Sequence, residues 1–190
     1  ASIIGAIAGG YWPWVIFLSA MFMMTVGDEL IGSSRRMFTN FLPGFLNLLL
    51  FATLPFLALL SLILATILAS DDPFGLIYAV RLITGLDLAA VRAEATRSDL
   101  IGSVVLVGLL YGTAGINVAH ELFHRVTSPA SVVTGRWLLA FSWDTTFAIE
   151  HVHGHHIHVA TAQDAATAKR GEYIGGFIIR STVQQFIKAF

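Results

Sequence analysis

The sequence predicts an all-α integral membrane protein, a transmembrane helical bundle with a cytoplasmic histidine-box region, on three observations. Hydrophobic residues make up 56% of the 190 and charged residues only 12%, about half the charged share of an ordinary soluble domain. Mean hydropathy is +0.76, more apolar side chain than the interior of so small a domain can hide. Apolar runs long enough for the roughly 30 Å hydrocarbon core of a bilayer recur between short polar stretches.

The same composition excludes several classes. A net charge of −1 with no basic patch gives no grip on a phosphate backbone, so no nucleic-acid partner is expected. The chain has no cysteine, which removes disulfides, thiolate zinc sites and iron–sulfur clusters. Any metal must sit on nitrogen and oxygen. The opening ASIIGAIAGG has neither an initiator Met nor the charged start of a signal peptide, so the chain is expected to be an internal part of a longer protein.

The first apolar stretch runs from 3 to 26 and meets Asp28 and Glu29. Tyr11, Trp12 and Trp14 fit either an interfacial belt, with the span starting nearer Pro13, or packing against neighbouring helices. A polar loop with Ser33, Ser34, Arg35, Arg36 and Asn40 leads to a second span at 43–69. Pro55 inside it reads as a kink, because neighbouring groups in a bundle satisfy the freed carbonyl. Asp71, Asp72 and Pro73 close that span. From there to Asp99, Arg81, Asp87, Arg92, Glu94 and Arg97 come too often for a lipid-facing helix, so an interfacial helix or loop is expected. The third span covers 100–119, with Gly102, Gly108, Gly112 and Gly115 allowing close helix approach.

These spans put Arg35, Arg36, Arg125, Arg136, Lys169, Arg170, Arg180 and Lys188 on one side and only Arg81, Arg92 and Arg97 on the other. Cytoplasmic loops carry the excess of Lys and Arg, so everything after His120 is expected in the cytoplasm. The stretch 131–149 is apolar yet holds Arg136, Trp137, Trp143 and Asp144. A crossing there would part the histidines across the bilayer, so it is expected to lie along the membrane surface.

All seven histidines fall between 120 and 158. His120 and His124 are spaced i, i+4, which on a helix projects both rings from one face. His151 and His155 repeat the spacing, and His156 adds a neighbouring direction. Imidazole suits iron, zinc, copper and nickel alike. Five imidazoles exceed the needs of one tetrahedral zinc with an open position, so two metals are the simpler account. His153 and His158 fall out of phase and are candidates to support the ligands from behind. Glu121 and Glu150, beside ligand histidines, are candidates to accept a free imidazole N–H, and Asp28 is a weaker one. Residues 120–124 also spell HELFH, the zinc-peptidase pattern of two ligands and a Glu base. That reading leaves the second cluster without a role.

Two motifs, Asn117 to Arg125 (NVAHELFHR) and Glu150 to Glu172 (EHVHGHHIHVATAQDAATAKRGE), resemble the histidine boxes of the membrane alkane hydroxylases, within the fatty acid desaturase and hydroxylase superfamily. The first is similar to their HExxH-type box at the end of a transmembrane helix. The second is similar to their EHxxGHH box with its ATPxDPAT-like and RGE-like continuation. Ala162 and Ala165 stand where the family usually has proline, and the Asp71 to Asp99 stretch looks like an insertion.

Carried over, the resemblance implies iron ligation by His120, His124, His151, His155 and His156. It implies a non-haem diiron centre in a multi-pass protein of a bacterial-type inner membrane, taking electrons from a rubredoxin-type donor. O₂ would hydroxylate the terminal carbon of an alkane or fatty acyl chain drawn from membrane lipid. Fatty acid desaturation or hydroxylation, a membrane zinc metallopeptidase and an inactive membrane fragment are the alternatives. The family also has later spans and a third histidine box, none of which this chain reaches, so a fragment of a longer enzyme is expected.

Overall fold

The computed structural model describes residues 8–31, 43–69, 72 and 74–189, and among them every regular element is helical. In chain order these are α1 (Trp12–Ile31), α2 (Pro43–Leu68), α3 (Leu76–Thr84), α4 (Leu88–Glu94), α5 (Arg97–Leu110) and a π turn (Tyr111–Ile116). Then come α6 (Asn117–Phe123), α7 (Pro129–Phe141), α8 (Phe147–Glu150), a second π turn (His151–His155), α9 (His156–His158) and α10 (Ile174–Lys188). The chain divides into two compact units between Gly115 and Ile116.

Three helical runs, Trp12–Ile31, Gly44–Leu68 and Arg97–Phe123, are long and apolar enough to cross a membrane. Their surfaces agree with a lipid solvent. Along α1, Leu18, Phe22 and Met23 are 59%, 63% and 73% exposed, an apolar face that water would penalise and acyl chains cover.

The stretch expected at 3–26 begins outside the described residues. Within them Gly9 and Gly10 both take positive φ, a backbone state that glycine enters freely, and the helix starts at Trp12. It then runs past Asp28 and Glu29 to Ile31, since a carboxylate costs a helix at most about 0.7 kcal/mol by propensity. The Asp28 side chain lies outside the described residues, as does the loop at 32–42. Pro55 sits inside an unbroken α2.

Four of the charged residues from Asp72 to Asp99 serve helix ends. Asp72 accepts hydrogen bonds from the Leu76 and Ile77 N–H groups. Asp87 accepts from Ala89 and Ala90 at the start of α4. Thr96 and Asp99 form a reciprocal capping box that opens α5, which satisfies donors that a helix start otherwise leaves bare. Arg92 donates to the Ala69 carbonyl just past α2, a favourable place for a cation. These caps turn the expected interfacial stretch into two short helices. Their apolar faces, Val80 and Leu88, are buried with Leu60, Ile63, Ile67 and Val107.

Within the first unit α1 packs on α5. The Trp14 indole donates to the Ser98 carbonyl at 2.9 Å. A Cβ on Gly102 would meet Trp14 Nε1 at 2.7 Å, so the close approach foreseen for the third-span glycines is real at Gly102. Gly108 and Gly112 face open space instead.

In the second unit α6 and α7 pack together through Leu122, Phe123, Leu138 and Leu139, all buried. A Cβ on Gly135 would come within 3.3 Å of the Ala119 carbonyl oxygen. Ser128 caps α7 by accepting from Ser131 N–H, with Pro129 in the first turn, where its missing N–H costs nothing.

Gly102→Ala is therefore expected to destabilise the protein in detergent by about 1–3 kcal/mol, the usual cost of overpacking. Gly108→Ala should be neutral or slightly stabilising. Titration with a denaturing detergent, followed by circular dichroism, reads both; equal losses at the two sites would contradict this packing.

Candidate metal centre

All of the site's side chains come from the second unit. His120 lies in the last turn of α6 and His124 at its C-terminus, and their Nε2 atoms are 3.2 Å apart. The second pair arises differently. Residues 151–155 form a π turn, closed by the His156 N–H bonding to the His151 carbonyl. In an α-helix residues five apart sit about 140° apart around the axis. The wider i to i+5 turn swings His156 back over His151, and their Nε2 atoms lie 2.9 Å apart.

The two pairs face each other. His120 and His151 have ring centroids 4.5 Å apart, His124 and His156 5.1 Å. One nitrogen from each of His120, His124, His151 and His156 lies within 4.8 Å of the other three. Nitrogens sharing an ion at about 2.1 Å from it stand roughly 3.0–3.4 Å apart; the 3.2 and 2.9 Å pairs are close to this, and the four together are near enough to hold a metal ion. Phe147 stacks on His151 at 4.8 Å and 12° and shields one face of the cluster.

His155 stands apart from the four. Its ring stacks with His151 at 5.4 Å, and its Nδ1 is 3.0 Å from Asp164 Oδ2. Asp164 is buried and also accepts from the Ala166 N–H and the Thr167 hydroxyl. Burial pushes its carboxyl up, but these hydrogen bonds outweigh it and hold the group below its ordinary value. Sequence reasoning gave Asp164 no role; its place in the quoted motif, nine residues after a ligand-type histidine, was the only signal.

The supporting candidates fare unevenly. Glu121 is exposed and pairs with Arg125 at 3.0 Å, so its carboxylate is directed at a guanidinium. Glu150 is buried, and its Oε1 has no hydrogen-bond partner among the described residues. Burial, then the charge of Asp164, raises its carboxyl above the ordinary value, with Lys188 and His155 opposing. It borders a cavity of about 330 Å³ shared with His120, His151 and His155. On its other flank, His153 and His158 line a separate cavity of about 380 Å³ with Gln163 and Lys188. Neither joins the four converging rings. Asp28 cannot be placed, since its side chain lies outside the described residues.

The fold and the cluster define a helical, multi-pass membrane protein carrying a histidine set able to hold metal. Comparison with known proteins narrows the class. The chain is 33% identical over 103 residues to alkane 1-monooxygenase 2 of Pseudomonas aeruginosa, covering 53% of this chain and 27% of that relative. It is 37% identical over 90 residues to alkane 1-monooxygenase 1 of the same organism, covering 47% and 23%. It is 27% identical over 184 residues to the xylene/toluene monooxygenase hydroxylase component XylM of Pseudomonas putida, covering 95% and 43%. These relatives bear out the resemblance to the alkane hydroxylases as a partial match; the chain spans less than half the length of each. No family model matches the chain, and no solved structure does.

Burial, then the neighbouring His120, His156, His155 and His124, lowers the His151 ring to about 4. Between the ordinary value of 6.5 and about 4 the unfolded chain binds a proton that the folded one does not, so stability falls as pH drops through that window. The metal-free protein is expected to lose thermal stability from pH 6.5 downward, and His151→Gln to flatten the slope. Parallel slopes for the two proteins would show that His151 does not carry the effect.

Proposed function

We propose that this chain forms the metal-binding part of a non-haem diiron membrane monooxygenase that hydroxylates the terminal carbon of alkanes or related lipid chains. The carrying observation is the convergence of His120, His124, His151 and His156 at the end of a membrane-length helix, in a chain similar to two alkane 1-monooxygenases. His155 is assigned to the ligand set as well, through Nε2, since Nδ1 is engaged by Asp164. The overall change is R–CH₃ + O₂ + 2e⁻ + 2H⁺ → R–CH₂OH + H₂O, with the electrons from a rubredoxin-type donor. When bound, the two irons supply the O₂ activation; the protein supplies placement.

That placement follows from the chain's own residues. An alkane has no polar handle, so orientation must come from apolar walls and from where the site sits. His120 lies within the Arg97–Phe123 run and His124 one residue past it, so a lipid-soluble chain and a water-borne donor can both reach the rings. We assign this end to the cytoplasmic face of a bacterial inner membrane, on the excess of Lys and Arg there. The 131–149 segment then lies at headgroup depth, in keeping with Trp137 and Trp143, which are 58% and 96% exposed.

One observation favours a second substrate class. The likeness to the xylene/toluene hydroxylase component runs over 95% of this chain, so the methyl group of an alkylbenzene is the alternative R–CH₃. The zinc-peptidase reading of HELFH is disfavoured because Glu121, its would-be base, is paired with Arg125.

The longest natural version of this protein, purified in detergent, is expected to hold two irons per chain, and His156→Ala to lose at least half. Supplied with an electron donor, it should yield a primary alcohol from octane or benzyl alcohol from toluene, the faster product naming the class. One zinc per chain, retained in His156→Ala, would overturn the assignment.

A further inference from the structure

His155 differs from the other four histidines of the cluster in that its second ring nitrogen is already spoken for. Its Nδ1 lies 3.0 Å from Oδ2 of Asp164, whose side chain is fully buried while that of His155 is 30% exposed. A carboxylate only accepts, so Nδ1 holds the proton, and in the neutral imidazole Nε2 is then bare. Asp164 is itself fixed. Its Oδ1 takes the Ala166 N–H at 2.9 Å and its Oδ2 the Thr167 hydroxyl at 2.5 Å, and Thr167 in turn accepts the Ala160 N–H.

The turn that carries Asp164 is held from α10. Arg180 donates to the Ala165 carbonyl at 3.2 Å and the Thr167 carbonyl at 3.0 Å, while two of its other N–H groups grip Glu172 at 2.6 and 2.8 Å. A planar fork engaged on both edges leaves the turn little freedom. The carboxylate is thus set before any metal arrives.

We propose that Asp164 is a positioning residue that fixes His155 as the Nδ1–H tautomer, with Nε2 free for a metal. The proposal rests on the reading of the cluster as a metal site, but its first consequence is visible without metal. Asn at 164 can keep its oxygen on the Ala166 N–H, which presents an NH₂ group to His155 Nδ1. The imidazole then does best with Nδ1 bare and the proton on Nε2, where it blocks ligation. Thr167→Ala instead loosens the same turn while leaving the carboxylate to His155, and so separates positioning from loop integrity.

The test is nitrogen-15 solid-state NMR of histidine-labelled, metal-free protein in lipid at pH 8, the His155 signals being identified by their loss in His155→Gln. Wild type, Asp164→Glu and Thr167→Ala should show the Nδ1–H form, and Asp164→Asn the Nε2–H form. Titrated with iron(II), Asp164→Asn should bind about 10–100-fold more weakly at the His155 position, the usual cost of losing such a partner. Unchanged tautomer and affinity in Asp164→Asn, or the same losses in Thr167→Ala, overturn the proposal. If wild type binds no metal, the metal reading fails on its own. The tautomer then still decides: a reversal in Asp164→Asn supports positioning by Asp164, and no reversal overturns it.

Discussion

Imidazole rings crowded as closely as these cannot all carry a charge together. Two unit charges 4 Å apart repel by about 4 kcal/mol even at an effective dielectric of 20, and four rings with nitrogens within 4.8 Å multiply that cost. The cluster therefore resists gathering several protons and suits a cation that the lone pairs of its rings share. The His151 ring is depressed first by its burial and then by this mutual repulsion, and Phe147 stacks against it. The buried Asp164 supplies negative charge beside His155, where it favours a proton on Nδ1.

Backbone geometry delivers the rings in two ways. On α6 the ordinary i, i+4 spacing suffices, and the sequence announces it plainly in His120 and His124. The second cluster relies on a π turn, a form that recurs where a helix is locally rewound for function. The pair that meets there is His151 with His156, five apart. Spacing alone favours His151 with His155, because nothing in the residue types marks an extra residue per turn. Gly154 within that turn has a partial physical reason: a Cβ there would strike Glu150 Oε1 at 2.5 Å.

What could be read from the chain follows the strength of each local signal. The long apolar runs declare helices fit for a bilayer, and their ends shift by several residues where caps intervene, as with Thr96 and Asp99 before α5. The charged residues from Asp72 to Asp99 read as an obstacle to a lipid-facing span, with interfacial helix or loop both open, and most of the acids among them start a helix. Among the supporting carboxylates, Glu121 and Glu150 look equivalent in sequence, each beside a histidine. Tertiary packing separates them, turning one to Arg125 and burying the other. Asp164 could not be distinguished from a loop aspartate before the 160–167 turn was seen folded against His155. The side chain of Asp28 lies outside the described residues.

In the proposed site, histidines on α6 and the 151–156 turn hold metal mainly through nitrogen, and a chain without cysteine adds no thiolate to that shell. X-ray absorption at the iron edge of the loaded protein measures it most directly. The account predicts a shell dominated by imidazole nitrogen near 2.1 Å with the multiple scattering of several rings, diminished in a His124→Ala, His156→Ala double variant. A shell made mainly of oxygen, without imidazole scattering and unchanged in that variant, would contradict it.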